Sequence, residues 1–418
     1  MDLRPANEHD NGDRTEHDVA YRVHQELTLE LHADVADWNP NSGLERLLAV
    51  GTYELDEETR QRHGKLYTYE LDLQYDIKET AESTQTMSTM STTQTTSTSS
   101  ASLRLVHTAD KLPGIFDLQF IPSSPSNAAN TSSALVALAL ADGSVRIMDA
   151  WSGGEVARCG ETEVDDTQAM ALFVDALVSP ASTRLTTSYS DGTIHVLDAT
   201  PDGRLVQTHC WEAHSLEAWM ATWSRAPCRR GNIIFSGGDD AIFQAWDIRE
   251  TQGDTAPARQ FLDRKTHGAG VTCITEVLGT DGAHDTTVLT GSYDNMIRLW
   301  DWRNTSRPIL QTSFDMGGGV WRIKPHPSDP SILLAATMYD GFKIVSVDSA
   351  GGTIDSRPGW NIHSRLEFPP KHKKTDKTLA YGASWCRDPQ AIGLAATCSF
   401  YDNLLSLWSW TNDTTTRE

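Results

Sequence analysis

The sequence predicts an all-β protein built as one seven-bladed β-propeller that is closed by a strand near the N-terminus. Two observations carry this prediction. A strand–turn–strand pattern with an aspartate in the turn occurs six times, and one degenerate copy precedes these six. The last copy lacks an outer strand, and an alternating segment near the N-terminus can supply it. Repeats of about 40 to 50 residues with four strands each are typical of propeller blades.

The six clear copies share a small or apolar run, a turn centred on Asp and a strand that often ends in Trp-Asp. They read LALADGSVRIMDAW, TTSYSDGTIHVLDAT, FSGGDDAIFQAWDIR, LTGSYDNMIRLWDWR, ATMYDGFKIVSV and CSFYDNLLSLWSW. Their turn residues are Asp142, Asp191, Asp240, Asp294, Asp340 and Asp402. Because Asp-Gly and Asp-Asn favour the positive φ angles of tight hairpins, each turn is expected to link two strands of one blade.

The degenerate first blade begins with LLAVGTYELD and continues at residues 64–73. Residues 83–102 are mostly Ser and Thr with little to bury, which predicts a disordered loop inside this blade. The segment SLRLVHTA, from residue 102, then supplies the fourth strand of the blade. The low-complexity stretch is therefore interpreted as an insertion and not as a domain boundary.

Ring closure is predicted from the two ends of the chain. Residues 24–32, HQELTLELH, alternate as a strand does, and we expect them to complete blade seven, because closure removes sheet edges that invite aggregation. The sequence thus predicts one WD40-type propeller domain over residues 24–410. A disordered tail over 1–23 and a short C-terminal tail over 411–418 flank it.

Composition restricts the classes of partner. Lys and Arg number 35 against 57 Asp and Glu, a net charge of −22, which argues against direct nucleic-acid binding and favours basic proteins or cationic ligands. Neither a signal peptide nor a run of about 18 apolar residues is evident, which predicts a cytoplasmic protein without membrane association. The six cysteines form no C-x-x-C pair, so we expect neither a disulfide nor a zinc framework. No cofactor and no metal ligands are predicted, and whether a metal is needed stays open. A monomer is expected.

Common enzyme motifs for a serine nucleophile, a zinc protease or a phosphate loop are absent from the sequence. The prominent histidines have a structural interpretation, because WD-type blades commonly contain a buried hydrogen-bonded set of His, Ser or Thr, Asp and Trp. Two such sets are predicted in blades four and five: His214, Ser236, Asp240 and Trp246, and His267, Thr290, Asp294 and Trp300. The alternative, a catalytic His214 or His267, stays open.

One position of the inner strands is unusually aromatic. When these strands are aligned on their ends, the position holds Asp34, Phe116, Trp219, Thr272, Trp321 and Tyr381. The same face is expected to carry Tyr293, Tyr339, Tyr401 and Glu217, and Gly317, Gly318 and Gly319 are expected to clear the approach to it. Aromatic rings with nearby carboxylates can hold a quaternary ammonium by cation–π attraction. The alternative is that these aromatic residues fill the core between blades.

Several segments together resemble the WD-repeat diphthine methylesterases, which older usage names diphthine methyltransferases. They are HSLEAW at 214–219, GGDDAIFQAWD at 237–247, GSYDNMIRLWDWR at 291–303, GGGVWRIKPHP at 317–327, MYDGFKI at 338–344, YGASW at 381–385 and CSFYDNLLSLWSW at 398–410. The likeness extends from about residue 30 to the C-terminus and is most specific in blades four to seven.

This resemblance implies hydrolysis of a methyl ester on the modified histidine of translation elongation factor 2, a step of diphthamide biosynthesis. It also implies a substrate with a trimethylammonium group, which agrees with the aromatic position described above. The candidate bases are Asp34, Glu217, Asp239 and an untethered His214 or His267; the candidate oxyanion donors are Arg322 and the amides of residues 317–319. The sequence does not select among them.

The rival hypothesis is a non-catalytic scaffold. Trp246-Asp-Ile-Arg249 and Trp300-Asp-Trp-Arg303 match the WD-x-R pattern of substrate receptors for cullin-type ubiquitin ligases. A ligase adaptor is the partner that this alternative predicts.

Overall fold

The computed structural model describes most of the chain, in twelve ranges. They are residues 21–80, 93–123, 134–150, 169–180, 182–200, 204–226, 229–252, 256–278, 286–304, 307–350, 359–369 and 375–410. These residues form 27 β-strands, and the short helical turn Pro389–Ala391 lies between two of them. The strands make seven antiparallel sheets, so the predicted all-β propeller is confirmed.

The first four blades follow one another along the chain. Blade one comprises β2 (His32–Trp38), β3 (Leu47–Leu55), β4 (Arg62–Thr80) and β5 (Thr93–Pro113); blade two comprises β6 (Ile115–Phe120), β7 (Leu135–Leu140) and β8 (Val145–Asp149); blade three comprises β9 (Ala171–Val178), β10 (Thr183–Tyr189), β11 (Thr193–Ala199) and β12 (Leu205–Glu212); blade four comprises β13 (Ala218–Trp223), β14 (Ile233–Gly238), β15 (Phe243–Gln252) and β16 (Ala256–Asp263).

The remaining three blades include the one that joins the two ends of the chain. Blade five comprises β17 (Val271–Leu278), β18 (Thr286–Ser292), β19 (Met296–Asp301) and β20 (Ile309–Asp315); blade six comprises β21 (Arg322–Pro325), β22 (Ile332–Ala336), β23 (Phe342–Ala350) and β24 (Gly359–Phe368); blade seven comprises β25 (Ala380–Trp385), β26 (Leu394–Ser399), β27 (Leu404–Trp410) and β1 (Tyr21–Thr28).

The N-terminal strand closes the ring as predicted, with slightly different bounds. Strand β1 begins at Tyr21 and pairs antiparallel with β27 from Tyr21↔Trp410 to Thr28↔Leu404. The strand therefore begins three residues before the predicted 24–32 and ends earlier, and residues 21–23 belong to the propeller. Each inner strand packs against its neighbour around the ring, and β25 of blade seven returns to β2 of blade one.

The Ser/Thr-rich segment differs from the prediction in part. Residues 93–102 lie in β5, which pairs with β4 in a long hairpin that extends from His63↔Pro113 to Thr80↔Thr93. Backbone pairing with the long β4 strand supplies the order that composition alone did not suggest. Residues 81–92, and the predicted tails over 1–20 and 411–418, lie outside the described residues.

The inner strands share an irregularity that positions the candidate site. The inner strand of each of six blades carries a register shift near its first residue, and in blade one this leaves Asp34 unpaired between Ala33↔Thr52 and Val35↔Gly51. The corresponding bulge residues are Phe116, Leu172, Trp219, Thr272 and the pair Tyr381–Gly382. In blade six, Trp321 occupies this place just before β21, and its amide donates to the Ala336 carbonyl at 2.8 Å. A bulge re-aims a side chain, here toward the end of the channel that carries the Asp turns.

Candidate active site

The bulge residues bring an arc of aromatic rings to the mouth of the central channel. Phe116, Trp219, Trp321 and Tyr381, predicted from one strand position, are all half-buried there, and Tyr293 joins them from the turn of blade five. The centroids of Trp219 and Trp321 are 5.5 Å apart, and Tyr293 lies 5.9 Å from the first and 6.0 Å from the second. Trp321 stacks on Tyr381 at 4.8 Å.

Two further rings, which sequence reasoning missed, extend this arc toward blade two. Phe400 lies 5.4 Å from Tyr381 and 6.0 Å from Tyr53, which in turn lies 4.9 Å from Phe116. We call the seven rings the aromatic cup: Tyr53, Phe116, Trp219, Tyr293, Trp321, Tyr381 and Phe400. Of the other tyrosines expected on this face, Tyr339 is 65% exposed and Tyr401 is 50% exposed, so both project outward.

The missed rings could have been found from the strand next to the inner strand. They directly follow the residue of that strand that pairs just before the bulge. Tyr53 and Phe400 each come directly after the residue that pairs just before the bulge, Thr52 and Ser399 respectively. Tyr293 has the same relation to Ser292. Alignment on the turn aspartates hid this relation, because the turns of blades one, five and seven differ in length.

An ion pair crosses the channel beneath the cup. Arg322 of blade six donates through Nη2 to Oδ1 of Asp117 in blade two at 2.7 Å, although 205 residues separate them in sequence. Both side chains are buried, and the Arg322 guanidinium carbon also lies 5.3 Å from the Phe173 ring. Asp117 accepts a second hydrogen bond, from the Val174 amide at 3.1 Å. Asp117 is another residue that sequence reasoning missed, because only ring closure brings blade two opposite blade six.

Asp34 differs from the other channel carboxylates. It is 4% exposed, and its carboxyl accepts no hydrogen bond from the described residues. Burial raises the pKa of Asp34 to about 8, with Arg322 acting to lower it and Asp117 to raise it. By contrast, Asp37 accepts from the Phe120 amide and Asp175 from the Trp223 amide, at 3.1 and 2.8 Å.

The other two predicted carboxylates lie at the blade-four side of the cup. Asp239 accepts a hydrogen bond from the Trp219 indole nitrogen at 3.0 Å, which fixes the orientation of that ring. Asp239 and Glu217 both raise the pKa of Tyr293, although burial of the Tyr293 hydroxyl is the larger cause. These carboxylates thus give the cup a negative rim, while the Asp117–Arg322 pair and the buried Asp34, which both influence electrostatically, lie deeper.

The three glycines have a packing reason that the sequence did not suggest. A Cβ on Gly317 would lie 2.5 Å from an Asp340 carboxylate oxygen, and one on Gly318 would lie 2.3 Å from the Thr337 carbonyl. A Cβ on Gly319 would meet Met338 at 2.7 Å and Tyr293 at 3.4 Å. The glycines therefore let the chain pack against the turn of blade six, and the Gly317 amide already donates to Asp315. A role of their amides toward a substrate stays a prediction.

The predicted histidine set of blade four is complete. His214 bonds Asp240 through Nδ1 and Ser236 through Nε2, each at 2.9 Å, and the Trp246 indole donates to Ser236 at 3.0 Å. His214 is therefore tethered on both ring nitrogens.

The set of blade five differs at one member. His267 bonds Thr290 at 2.9 Å and Trp300 donates to Thr290 at 3.0 Å, but Asp294 pairs with Arg298 and the Gly268 amide instead of the histidine. His267 Nδ1 lies 3.8 Å from the Asp263 carboxylate and makes no hydrogen bond among the described residues. Burial lowers the pKa of His267, which favours its neutral form.

The described ranges contain neither a metal-binding cluster nor a membrane-spanning helix. No group of three or more His, Cys, Asp or Glu side chains is arranged there to hold a metal ion. None of the helical segments described has the length and apolarity that crossing a bilayer requires.

Comparisons with known proteins agree with this architecture. Residues 259–301 match the family model described as WD domain, G-beta repeat. A chain in a crystal structure of the mitotic checkpoint complex superposes with a TM-score of 0.59, covering 99% of this chain and 98% of that one. With 15% sequence identity, this likeness shows the fold alone.

Sequence relatives are similar over nearly the whole chain. A diphthine methyltransferase homolog of Dictyostelium discoideum is 30% identical, and the alignment covers 91% of this chain and 97% of the relative. The diphthine methyltransferase of Homo sapiens is 27% identical over 92% of this chain and 98% of its own. That of Schizosaccharomyces pombe is 26% identical, with 90% and 96% covered.

Proposed function

Because this chain belongs to the diphthine methyltransferase family, we propose that it hydrolyses the methyl ester of methylated diphthine on translation elongation factor 2. The observation that carries the proposal is the buried Asp34 carboxyl, which accepts no hydrogen bond from the described residues and interacts electrostatically with Arg322 and with Tyr381 of the aromatic cup. Ester hydrolysis needs a base for water and a cation for the developing oxyanion, and Asp34 and Arg322 are of the required kinds.

Asp34 is the proposed general base. As a carboxylate it accepts a proton from a water molecule while the water oxygen forms a bond to the ester carbonyl carbon. The tetrahedral intermediate then expels methoxide, which leaves as methanol with the proton that Asp34 returns. The carboxylic acid that remains on the protein substrate releases its proton to solvent and becomes the carboxylate. A pKa of about 8 suits this role, because a base is most effective when its pKa lies near the working pH.

Arg322 is the proposed partner of the oxyanion. It uses Nη2 for Asp117, and its Nε and Nη1 hydrogens make no hydrogen bond to the described residues. The ion pair with Asp117 holds the guanidinium across the channel, so its charge is in place before the substrate arrives. Glu217 and Asp239, the other candidate bases, lie at the rim, where Asp239 is engaged by Trp219.

The aromatic cup is proposed to bind the trimethylammonium group of the substrate. Cation–π contacts with Trp219, Trp321 and Tyr381 favour a quaternary ammonium, each by roughly 0.5 to 2 kcal/mol. A cation in the cup also lowers the pKa of Asp34 by Coulomb attraction, so substrate binding itself favours the ionised base. Substrate selection and activation of the base would then be linked.

The test is incubation of the purified protein with elongation factor 2 that carries the methyl ester. Intact-mass measurement should show loss of the mass that separates a methyl group from hydrogen, with methanol released in equal amount. The Asp34→Asn variant is the matched control. An ester that stays intact with the parent protein would contradict the proposal. The proposed setting is the cytoplasm, with the protein acting as a monomer and without nucleic acid or membrane.

A scaffold function remains the second candidate. Arg249 and Arg303 end the two WD-x-R segments on neighbouring blades, and their side chains are 63% and 55% exposed. Each pairs with the aspartate of its own segment, Asp247 or Asp301. Capture of a purified cullin-ligase adaptor by the parent protein, lost in an Arg249→Ala/Arg303→Ala variant, would support it.

A further inference from the structure

The face that carries the aromatic cup also carries a basic pocket, which is unexpected in a chain of net charge −22. The pocket has a volume of about 470 Å³ and lies between the turn of blade one, the end of β5 and the turn of blade two. Its charged lining consists of Arg60, Arg62, Lys111, Arg146 and one acid, Asp142.

Two of the four Arg and Lys side chains of the pocket have no carboxylate partner among the described residues. Arg146 pairs with Asp142 at 3.0 Å, and the highly exposed Arg60 lies 3.2 Å from Glu57. Neither Arg62 nor Lys111 forms an ion pair with a carboxylate of the described residues. On the opposite side of the mouth, Arg298 is fully engaged by Asp294. The pocket therefore presents net positive charge to solvent.

The backbone holds two of these cations in an unusual conformation. Arg60 has a φ of 60° and Lys111 a φ of 63°, a left-handed region that favours Gly or Asn. Lys111 lies in the irregular stretch of the β4–β5 pairing between Gly64↔Leu112 and Leu66↔Ala109, where a glycine would fit with less strain. Arg60 and Lys111 thus place long cationic side chains at positions where the backbone conformation favours Gly or Asn.

One side chain of the pocket lining, Arg62, contacts a ring of the cup. Arg62 donates from Nε to the Tyr53 hydroxyl at 3.1 Å, and the ring of Tyr53 lies 4.9 Å from Phe116. A side chain that enters the cup from a protein substrate must bring its flanking backbone across this rim. Since an extended chain advances roughly 3.3 Å per residue, residues that flank the modified one are the ones brought to the pocket.

We propose that this basic pocket is a docking subsite for Asp or Glu side chains that flank the modified residue in the protein substrate. The proposal rests on the proposed function, because it assumes that a protein side chain occupies the cup. A cationic group in the cup next to carboxylates in the pocket makes a pattern of opposite charges, which sets the direction in which the substrate lies. The pocket then contributes to recognition and not to the chemical step.

The test compares two charge-reversal pairs on the same face. Arg60→Glu/Lys111→Glu alters the pocket, and Arg264→Glu/Lys265→Glu, exposed residues before β17, is the matched control. Each variant is assayed with methyl-esterified elongation factor 2 and with a small substrate, the methyl ester of a single trimethylammonium amino acid. Thermal unfolding checks that all variants are folded.

We expect the pocket pair to raise KM for the protein substrate about five- to thirtyfold with little change in kcat. Hydrolysis of the small ester should be unchanged, and the conservative Arg60→Lys/Lys111→Arg pair should retain the parent KM. If both charge-reversal pairs raised KM equally, the cause would be the overall charge of the surface and not the pocket. That result would overturn the proposal. A similar loss with the small ester would also overturn it.

A binding measurement separates this proposal from the activity itself. Fluorescence anisotropy with a labelled hexaglutamate peptide should show binding to the parent protein that the pocket pair loses and the control pair keeps. If neither ester is hydrolysed by the parent protein, the proposed function fails while the peptide result still decides whether the pocket binds carboxylates. Inorganic phosphate or polyuridylate that binds the pocket more tightly than hexaglutamate would contradict an acidic peptide as its ligand.

Discussion

The histidine set of blade four and the Asp and Arg residues at the aromatic cup are both buried polar clusters, but their hydrogen bonding differs. His214, Ser236 and Asp240 satisfy one another at 2.9 Å, and the Trp246 indole completes the set. At the cup, Asp117 is paired with Arg322, whereas Asp34 accepts no hydrogen bond from the described residues. Burial raises the pKa of both carboxyls, to about 6 for Asp117 and to about 8 for Asp34. A buried carboxyl with so raised a pKa and no hydrogen bond from the protein is a candidate for chemistry or binding.

The largest effect that would sharpen this comparison is expected from Asp34→Asn. The substitution keeps the shape and removes the base, so kcat should fall roughly 10³–10⁴-fold while the protein stays folded. In the parent protein, kcat/KM should rise with pH until about pH 8, because the free enzyme must lose the Asp34 proton. Initial rates between pH 6 and 9 measure both. An Asp34→Asn variant with parent activity would exclude Asp34 as the base.

The same carboxyl predicts a dependence of stability on pH. Its pKa is about 8 in the folded state against an ordinary value of 3.8, so the folded state keeps a proton that the unfolded state releases. Stability should therefore fall between about pH 4 and pH 8, by up to about 1.4 kcal/mol per pH unit from this group. Urea unfolding of the parent and of Asp34→Asn should show a flatter profile for the variant.

The next effect concerns the ion pair across the channel. Arg322→Leu leaves Asp117 buried without its partner and should lower the free energy of unfolding by about 3 to 5 kcal/mol. The control Arg303→Leu removes an exposed pair and should cost less than about 1 kcal/mol. Chemical denaturation measures both. The double variant Asp117→Leu/Arg322→Leu should recover much of the loss, and its failure to do so would show that the pair is not the cause.

A smaller effect is expected from the histidine sets. His214→Ala leaves Ser236 and Asp240 without a partner and should lower stability by about 1 to 3 kcal/mol, with activity retained. His267→Ala should cost less, because His267 makes one such bond and Asp294 is held by Arg298. Normal stability together with abolished esterase activity in either variant would show that the histidine is catalytic and would break the comparison.

The smallest effect is expected at the cup wall. Trp321→Leu retains apolar volume but removes a ring quadrupole, so kcat/KM should fall about five- to thirtyfold, roughly 1 to 2 kcal/mol. The variant should also discriminate less than the parent protein between substrates with a trimethylammonium and with a primary ammonium. Equal slowing with both substrates would assign Trp321 to packing alone.

Several features of the molecule were predictable because they depend on local pattern. The Asp turns mark the hairpins, alternation identifies β1, and the spacing within each repeat predicts the His214 set. The strand position that holds Asp34, Phe116, Trp219, Trp321 and Tyr381 was also visible, since the same distance from the strand end recurs from blade to blade. Because these patterns recur from blade to blade, each copy supports the assignment of the others.

Other features were decided only when the ring closed. Arg322 and Asp117 lie 205 residues apart and meet because blades two and six face each other across the channel, which no local spacing encodes. Tyr53 and Phe400 precede turns of different length, so their shared place in the cup appears only in the strand pairing. The sequence by itself thus determined the blades and the residues that point to the mouth. The tertiary structure decided which of them touch, and that Asp34 accepts no hydrogen bond from the part of the chain that the structure describes, because contacts across a channel depend on closure of the whole ring.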